Sequence, residues 1–461
     1  MTEVPLAALN SLHYFLPHHA VVKEASSTTK LRNVFDASCK TSDGTSLNDH
    51  LYIGPRLQDD VFDHIARFRR FKVAFSADIT KMYRQIWVTP DDLMYQLVLW
   101  RDVEVKAYRL NTVTFGTASA PYLAIRTLQQ LASDERDASK IALKNFYVDD
   151  VIHRADSVIE AVEMQTQLIK MLKKGGFPLR KWASNCEELL MSVPEEDREV
   201  QIPLSFDAKN AIKTLGIQWH PAKDVFAFKI SLPEHTKITK RTILSDLARL
   251  YDPMGWIAPC VIIGKIIMQE TWKDKQTWES ELPSSIISAW QSLKAALSLL
   301  EAIQIPRWLN LTNESKVEVH GFCYASEKAY AAAIYLRVTT GNETNINLIV
   351  SKTRVTPLKT KSLAGLELCG ALLLAQLLVH TVDTMELQSA KLFTWCDSQI
   401  TLAWIKSAPY LRTTFVANRV AEIQELTDTF HLRRTPLTLH LEESLLMISF
   451  RIDSSGMVLN S

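Results

Sequence analysis

Phe146-Tyr147-Val148-Asp149-Asp150-Val151 is the stretch on which the reading of this chain turns. Two adjacent aspartates stand between strand-forming residues, and their like charges raise the cost of ionising both. A hairpin tip that leaves both acids in solvent relieves that cost, and an arbitrary Asp-Asp pair is most often of that kind. Here apolar runs flank the pair on both sides, which places the acids at the rim of a buried sheet, where a divalent cation is the natural compensation. A matching segment lies upstream: Phe75-Ser76-Ala77-Asp78-Ile79 puts Asp78 at the end of another apolar strand. Two-metal phosphoryl transfer needs carboxylates from separate strands to bracket cations about 3.5–4 Å apart. Mg2+ takes oxygen ligands and keeps part of its shell for water and substrate phosphates. Asp78 with Asp149 meets that need.

The rest of the chain supports several folded units around this pair. A length of 461 residues exceeds one ordinary domain, so three or four units are expected. Hydrophobic residues at 47% and charged residues at 22% are the balance of a globular protein with several cores. The net charge of +1 excludes a global basic bias, so any nucleic-acid binding must come from local clusters. Six cysteines without a CxxC pair read as reduced thiols of an intracellular protein, in cytoplasm or nucleus. Met1 to Leu16 lacks a basic start and a small-residue cleavage site, so no signal peptide is expected. Trp256 to Met268 and Leu363 to Val379 read as core helices, and no membrane span is expected.

Strand-like runs cover Val73 to Ile79, Tyr95 to Trp100 and Val105 to Val113, followed by a helix from Ala118 to Leu131. Ile141 to Tyr147 and Val151 to His153 meet at the acidic turn. A helix from Asp156 to Lys174 should stop at Gly175-Gly176. Helices from Thr236 to Ala302 should break at Asp252-Pro253 and Ala258-Pro259. A new pattern begins near Lys316: strands at Val317 to Cys323, Ala331 to Val338 and Asn347 to Lys352, a helix from Ser362 to Val379, a strand at Leu392 to Cys396, then further helices.

The Tyr147-Val148-Asp149-Asp150 box with the Asp78 segment resembles the catalytic core of reverse transcriptases, specifically those of BEL/Pao long-terminal-repeat retrotransposons. Further segments match that group in order: Leu16-Pro17-His18-His19-Ala20-Val21-Val22-Lys23-Glu24, Val34-Phe35-Asp36-Ala37-Ser38, Ala77-Asp78-Ile79-Thr80-Lys81-Met82-Tyr83-Arg84-Gln85-Ile86 and Arg180-Lys181-Trp182-Ala183-Ser184-Asn185. The resemblance covers about residues 14 to 430. It implies an α+β and α/β architecture: fingers and palm of a right-hand polymerase over 1–230, a helical thumb or connection over 231–312, and an RNase H-like α/β domain over 313–430. Residues 431–461 match nothing, which suggests a shifted reading frame or a mispredicted exon near His431. The implied activity is RNA-directed DNA polymerase, a nucleotidyltransferase that uses Mg2+ or Mn2+. The implied partners are an RNA template, a DNA primer, deoxynucleoside triphosphates and other parts of a Pol polyprotein. The rival reading is a non-catalytic relic that binds nucleic acid or has no activity.

By the same resemblance, Asp78 and Asp149 hold the metals, Asp150 stands beside them, and the Ile79 carbonyl is a further ligand. Tyr83 falls where an aromatic gate excludes the sugar 2′-hydroxyl, its plainer reading being a packing tyrosine. Lys23 and Arg32 resemble residues that grip the triphosphate, Arg by paired hydrogen bonds and Lys as a point charge. Phe115-Gly116-Thr117-Ala118-Ser119-Ala120-Pro121 matches the segment beneath the templating base and lacks the glutamine found there in many relatives. Lys181 is either a proton donor to departing pyrophosphate or a solvated lysine. Tyr147, Leu215 and Gly216 fall on the primer side. A basic run (Lys170, Lys173, Lys174, Arg180, Lys181) and the cluster Lys237, Lys240 and Arg241 are expected to meet phosphates.

Lys240 to Trp272, with Leu250-Tyr251-Asp252-Pro253-Met254-Gly255, matches a stretch sometimes called a Pao peptidase region. No Asp-Thr-Gly or Asp-Ser-Gly is present, so no aspartic protease is expected. In the RNase H-like part, Glu367 and Asp397 match two of the expected carboxylates. Tyr324 follows His320-Gly321-Phe322-Cys323, where the first aspartate is expected, and the context of the fourth carboxylate is missing. A phenol, with an ordinary pKa of about 10, is a poor Mg2+ ligand. Loss of RNase H activity is the expectation.

Overall fold

The computed structural model describes residues 1–6, 9, 12–22, 31–135, 145–200, 212–272 and 277–428. Lys23 and the tail 431–461 lie outside the described residues. The chain divides into two units. The first comprises Met1–His64, Val73–Leu215 and Pro221–Lys223. Its elements are β1 (Thr2–Val4), β2 (His18–Val22), β3 (Leu31–Phe35), α1 (Leu47–His50), α2 (Val61–Phe68, whose last residues count with the second unit), β4 (Val73–Ile79), β5 (Leu97–Arg101) and β6 (Val105–Arg109). They continue with α3 (Ala120–Asp134), β7 (Phe146–Tyr147), β8 (Asp150–Ala155), α4 (Val158–Lys174), β9 (Leu179–Ser184), α5 (Glu187–Met191) and β10 (Ile212–Thr214).

The strand that carries Asp78 is the heart of this unit. β4 lies inside a four-stranded sheet of order β7-β8-β4-β9 whose pairings are all antiparallel. Flanked on both sides, it is buried at six of its seven positions, all but Asp78, which explains why Val73-Ala74-Phe75-Ser76-Ala77 reads as a continuous run rather than an alternation. α4 packs against β8 and β4 through the face that buries Leu168, Met171 and Leu172. Its start is capped by Ser157, whose hydroxyl accepts from the Glu160 N–H. Its end closes as the two glycines require: Gly176 takes φ +74°, and Phe177 and Gly176 return N–H bonds to Leu172 and Lys173. Of the expected strand Ile141 to Tyr147, residues 141–144 lie outside the described set, and Phe146–Tyr147 is strand. The expected strand to Val113 ends at Arg109, where the chain leaves the ladder.

The second unit comprises Ile65–Lys72, Gly216–His220 and Asp224–Ser461. Its elements are β11 (Ile217–His220), β12 (Val225–Ala227), α6 (Lys240–Arg249), α7 (Ala258–Glu270), α8 (Ser284–Leu297), β13 (Gln304–Pro306), β14 (Lys316–Ala325), β15 (Ala329–Thr340), β16 (Glu343–Val355), α9 (Leu363–Thr384), β17 (Lys391–Cys396), α10 (Gln399–Lys406) and α11 (Thr414–Asp428). Pro259 does not break a helix as expected. It occupies the first turn of α7, where its missing N–H costs nothing. The larger sheet runs β16-β15-β14-β17, with β14 and β17 parallel and the other pairs antiparallel. A parallel pair needs a crossover, and α9 supplies it, packing on β14 and β15 while α11 covers it from elsewhere. That double coverage explains its nearly all-apolar sequence. Among the described residues it is the one helix long and apolar enough to cross a membrane, and over half of its most apolar window is buried in this packing.

Arg307 ties this unit together. Its side chain is fully buried, with Nε and Nη2 donating to the Asp224 carboxylate at 2.5 and 2.7 Å. Nη1 donates to the carbonyls of Phe68 and Phe71, and Nη2 to that of Lys72. All the guanidinium donors are thus used. Arg307→Met should therefore lower the unfolding free energy of this unit by about 3–5 kcal/mol, because three carbonyls and one carboxylate lose their donor. Urea unfolding followed by tryptophan fluorescence measures this, and a loss below about 1 kcal/mol would show that the tie is dispensable.

Candidate active site

The acid pair is placed by backbone, not by side-chain chance. Tyr147 pairs with Asp150 across β7 and β8, so Val148 and Asp149 form a two-residue connection. Val148 takes φ +55°, an unfavourable region for a β-branched residue. Gln58 holds the hairpin in this shape: its amide donates to the Phe146 carbonyl at 3.4 Å, and its Oε1 accepts from the Val148 N–H at 3.3 Å. The Ile79 N–H donates to the Asp149 carbonyl at 2.8 Å, and Asp78 stands opposite Asp150 in the β4–β8 register. Asp78, Asp149 and Asp150 are thereby brought together at the end of one sheet. Gln58 is a residue that sequence reading missed; it lies in a loop with no motif around it.

Lys181 reaches this cluster through a distortion of its strand. The β4–β9 register shifts between Ser76 and Asp78, and Lys181 takes φ +55° inside β9. Its ammonium lies 2.5 Å from Asp78 Oδ2. Burial opposes the Lys181 charge, but the hydrogen bond and charge of Asp78 outweigh it and raise the lysine pKa. The other two acids are not so relieved. Burial, then the charge of Asp78, pushes the Asp149 carboxyl above its usual range. Burial, then the charges of Asp149 and Asp78, pushes Asp150 up to about 7. A partly buried site with more negative than positive charge fits a divalent cation. Among the described residues, no set of three or more His, Cys, Asp or Glu side chains converges as a cage. A metal here would rest on Asp78 and Asp149, with other oxygens from backbone, water or phosphate, an arrangement Mg2+ accepts.

Around the acids, Tyr83 lies on a 3₁₀ turn (Met82–Gln85) that begins at Lys81 with φ +51°. Burial, then the Asp149 charge, raises the Tyr83 pKa, so the phenol stands near the cluster. Its ring meets Phe115 edge-on at 5.0 Å. Gly116 takes φ +92°, and a Cβ there would lie 2.3 Å from the Phe35 carbonyl oxygen, so glycine is required. Arg32 is exposed on β3, and its charge reaches Asp149. Tyr147 packs against His64. Leu215 and Gly216 both take positive φ, the geometry of a tight turn after β10.

The basic clusters fare differently from expectation. Lys174 pairs with Glu135, Arg180 with Asp197 and Lys181 with Asp78, so the run from Lys170 to Lys181 is no continuous phosphate-facing stripe. The residues stand on a helix and on successive positions of a strand, which point to opposite faces. Lys240 is buried over the Trp272 ring, which removes it from a phosphate-facing surface. Arg241 is exposed and pairs with Glu279.

In the second unit, Cys323 and Cys396 pair in register at the ends of the parallel strands β14 and β17. Tyr324 and Asp397 follow them directly, and the charges of Glu367 and Asp397 act on both thiols. The three positions Tyr324, Glu367 and Asp397 thus gather at one sheet end, with Tyr324 62% exposed.

The Asp150 shift has a stability consequence. Its folded pKa of about 7 lies above the ordinary 3.8. Between these values the folded state holds a proton that the unfolded state has lost, so stability falls as pH rises through that window. In chelator, the native protein should melt at higher temperature at pH 5.5 than at 7.5 to an extent that Asp150→Asn reduces. Identical pH dependence in both proteins would contradict the crowding.

Residues 239–398 match the family described as Pao retrotransposon-like RNaseH-like domain. A search of curated protein sequences found no match. Among solved structures, the fold is similar to that of the foamy viral protease–reverse transcriptase. One such structure, described as a dRH form in complex with double-stranded DNA, has a TM-score of 0.56 at 14% identity over 90% of this chain and 63% of that one. A second, in complex with an RNA/DNA hybrid, gives 0.55 at 14% identity over 91% and 50%. A third, in complex with double-stranded DNA, gives 0.54 at 15% identity over 89% and 75%. The chain therefore spans between half and two thirds of the first two relatives. Residues 239–398, about a third of the chain, thus resemble the Pao retrotransposon-like RNaseH-like domain, and the chain has a fold similar to these foamy viral structures.

Proposed function

We propose that this chain is an RNA-directed DNA polymerase of a retroelement, with its RNase H-like part non-cleaving. The observation that carries the reading is the convergence of Asp78 and Asp149, tied through the Ile79–Asp149 backbone hydrogen bond in a site with surplus negative charge. In this reading the sheet β7-β8-β4-β9 is the palm, the hairpin β2-β3 belongs to the fingers, residues 231–312 form the thumb or connection, and 313–430 form the RNase H-like domain. Asp78 and Asp149 hold Mg2+ or Mn2+, with the Ile79 carbonyl as a further ligand and Asp150 beside them. The metal ions, when bound, lower the pKa of the primer 3′-hydroxyl and offset charge on the leaving pyrophosphate. Tyr83 limits space at the sugar 2′ position. Lys23, Arg32 and Lys181 contact the triphosphate, with Phe115 and Gly116 lining the nucleotide. Tyr147, Leu215, Gly216 and Arg241 lie toward primer and template. The partners are an RNA template, a DNA primer, deoxynucleoside triphosphates and other Pol products.

A specific observation favours the non-cleaving RNase H-like part. Two carboxylates, Glu367 and Asp397, stand with a neutral phenol where the reaction calls for more negative charge. On an RNA template with an annealed DNA primer, Mg2+ and deoxynucleotides, the native chain should extend the primer. Asp78→Asn or Asp149→Asn should each reduce extension on the order of 10^3-fold. Equal incorporation by native and Asp149→Asn proteins would defeat the polymerase reading. In the same mixture the RNA strand should stay intact, and Tyr324→Asp alone should not start its hydrolysis. Appreciable RNA cleavage by the native chain would overturn the second part.

A further inference from the structure

Arg84 follows Tyr83 on the 3₁₀ turn and is used by nothing described so far. Its guanidinium lies 5.6 Å from the centre of the Phe35 ring and 5.7 Å from that of Phe115, wedged between the two. Burial lowers its pKa. Among the described residues no ion pair offsets its charge, and the two ring faces are what it meets. A planar cation over aromatic faces is an attractive and directional contact, and Arg suits it better than Lys because its fork is flat and weakly hydrated.

The ring it touches is the ring that supports Tyr83. Phe115 meets Tyr83 edge-on, 71° between planes. The backbone on either side of Phe115 and Gly116 is fixed independently. Gly116 is pressed against the Phe35 carbonyl. Asn48 clamps the loop from the other side: its amide donates to the Gly116 carbonyl at 3.0 Å and to Ser38 Oγ at 2.8 Å, while its Oδ1 accepts from the Ala118 N–H at 2.7 Å. With the backbone held, the remaining freedom of Phe115 is its side-chain rotation, and Arg84 is the group stacked on that side chain. A chain of contacts thus runs Phe35, Arg84, Phe115, Tyr83, ending beside Asp149.

We infer that Arg84 is a positioning residue for sugar selection: it fixes the Phe115 ring, which fixes the Tyr83 ring, without itself touching the nucleotide. The inference rests on the polymerase reading above and adds to it the group that sets how closely the tyrosine approaches the sugar. A loosened ring admits one extra oxygen more readily, so the ratio of deoxy- to ribonucleotide use should fall while deoxynucleotide incorporation changes little.

The test compares native protein with Arg84→Met and Arg84→Lys in single-nucleotide primer extension, measuring kcat/KM for a deoxynucleotide and for its ribonucleotide. Arg84→Met should lower the ratio about tenfold, chiefly through better ribonucleotide use, and Arg84→Lys, which keeps a cation against the rings, should retain more of it. Equal losses for both nucleotides, with the ratio unchanged, would mean that Arg84 binds phosphate directly or only supports the fold, and would overturn the inference. Thermal melting of each variant separates folding losses from both. Should Arg84→Met fail to fold, Arg84→Lys and Asn48→Ser, which loosens the same loop from the far side, must still move the ratio. An unmoved ratio in both overturns the inference. A native protein that incorporates neither nucleotide would instead defeat the polymerase reading on which this rests.

Discussion

Crowding of three carboxylates at one sheet end is the constraint to which the rest of the first unit answers. The Ile79–Asp149 hydrogen bond and the Asp78–Asp150 register are ordinary products of strand pairing, yet together they force like charges into a partly buried space. Each neighbouring feature is a response to that. Lys181 swings out of the strand pattern to meet Asp78. Asp150 keeps its proton to a higher pH than an ordinary carboxyl. Lys181 offsets one of the three charges, and the raised pKa values of Asp149 and Asp150 record the crowding that is left.

The backbone records the same cost. Of the non-glycine residues with positive φ, Lys81, Val148 and Lys181 all flank the acid cluster, on three separate chain segments. A valine in the left-handed region, in particular, persists only where its surroundings over-determine it, and Gln58 does that from behind the hairpin. The strain is thus borne at three entrances to one site, while the helices and outer strands keep unstrained geometry such as the glycine-closed end of α4.

Much of this was legible in the sequence because it follows from local rules. The Asp-Asp turn, the apolar strand ending in Asp78, and the glycine stop after Lys174 are each written in consecutive residues. The β14 to β17 pattern, with its crossover helix, likewise follows from periodicity alone. What could not be read depends on partners far apart in the chain. Gln58, Asn48 and Arg84 act through single contacts with segments tens of residues away, and nothing in their neighbours announces it. The same reason defeated the basic clusters: a lysine run says nothing about whether Glu135, Asp197 or Asp78 will fold back to neutralise it, nor that Lys240 will turn inward over Trp272.

The second unit offers a contrast built from the same parts. There too, paired strands end side by side, and acids stand at their ends: Asp397 after β17, with Glu367 close by on α9. In place of a third acid stands Tyr324, whose ring is largely in solvent, and beneath it lie two thiols rather than a lysine and a carboxylate. No side chain of this site distorts its strand, and no residue of β14 or β17 takes a positive φ among those described. Where fewer carboxylates stand together, positive-φ residues are absent from the paired strands as well. The two sheet ends therefore differ in crowding: three carboxylates and a lysine meet beside positive-φ backbone at the first, and two carboxylates, a phenol and two thiols meet on regular strands at the second.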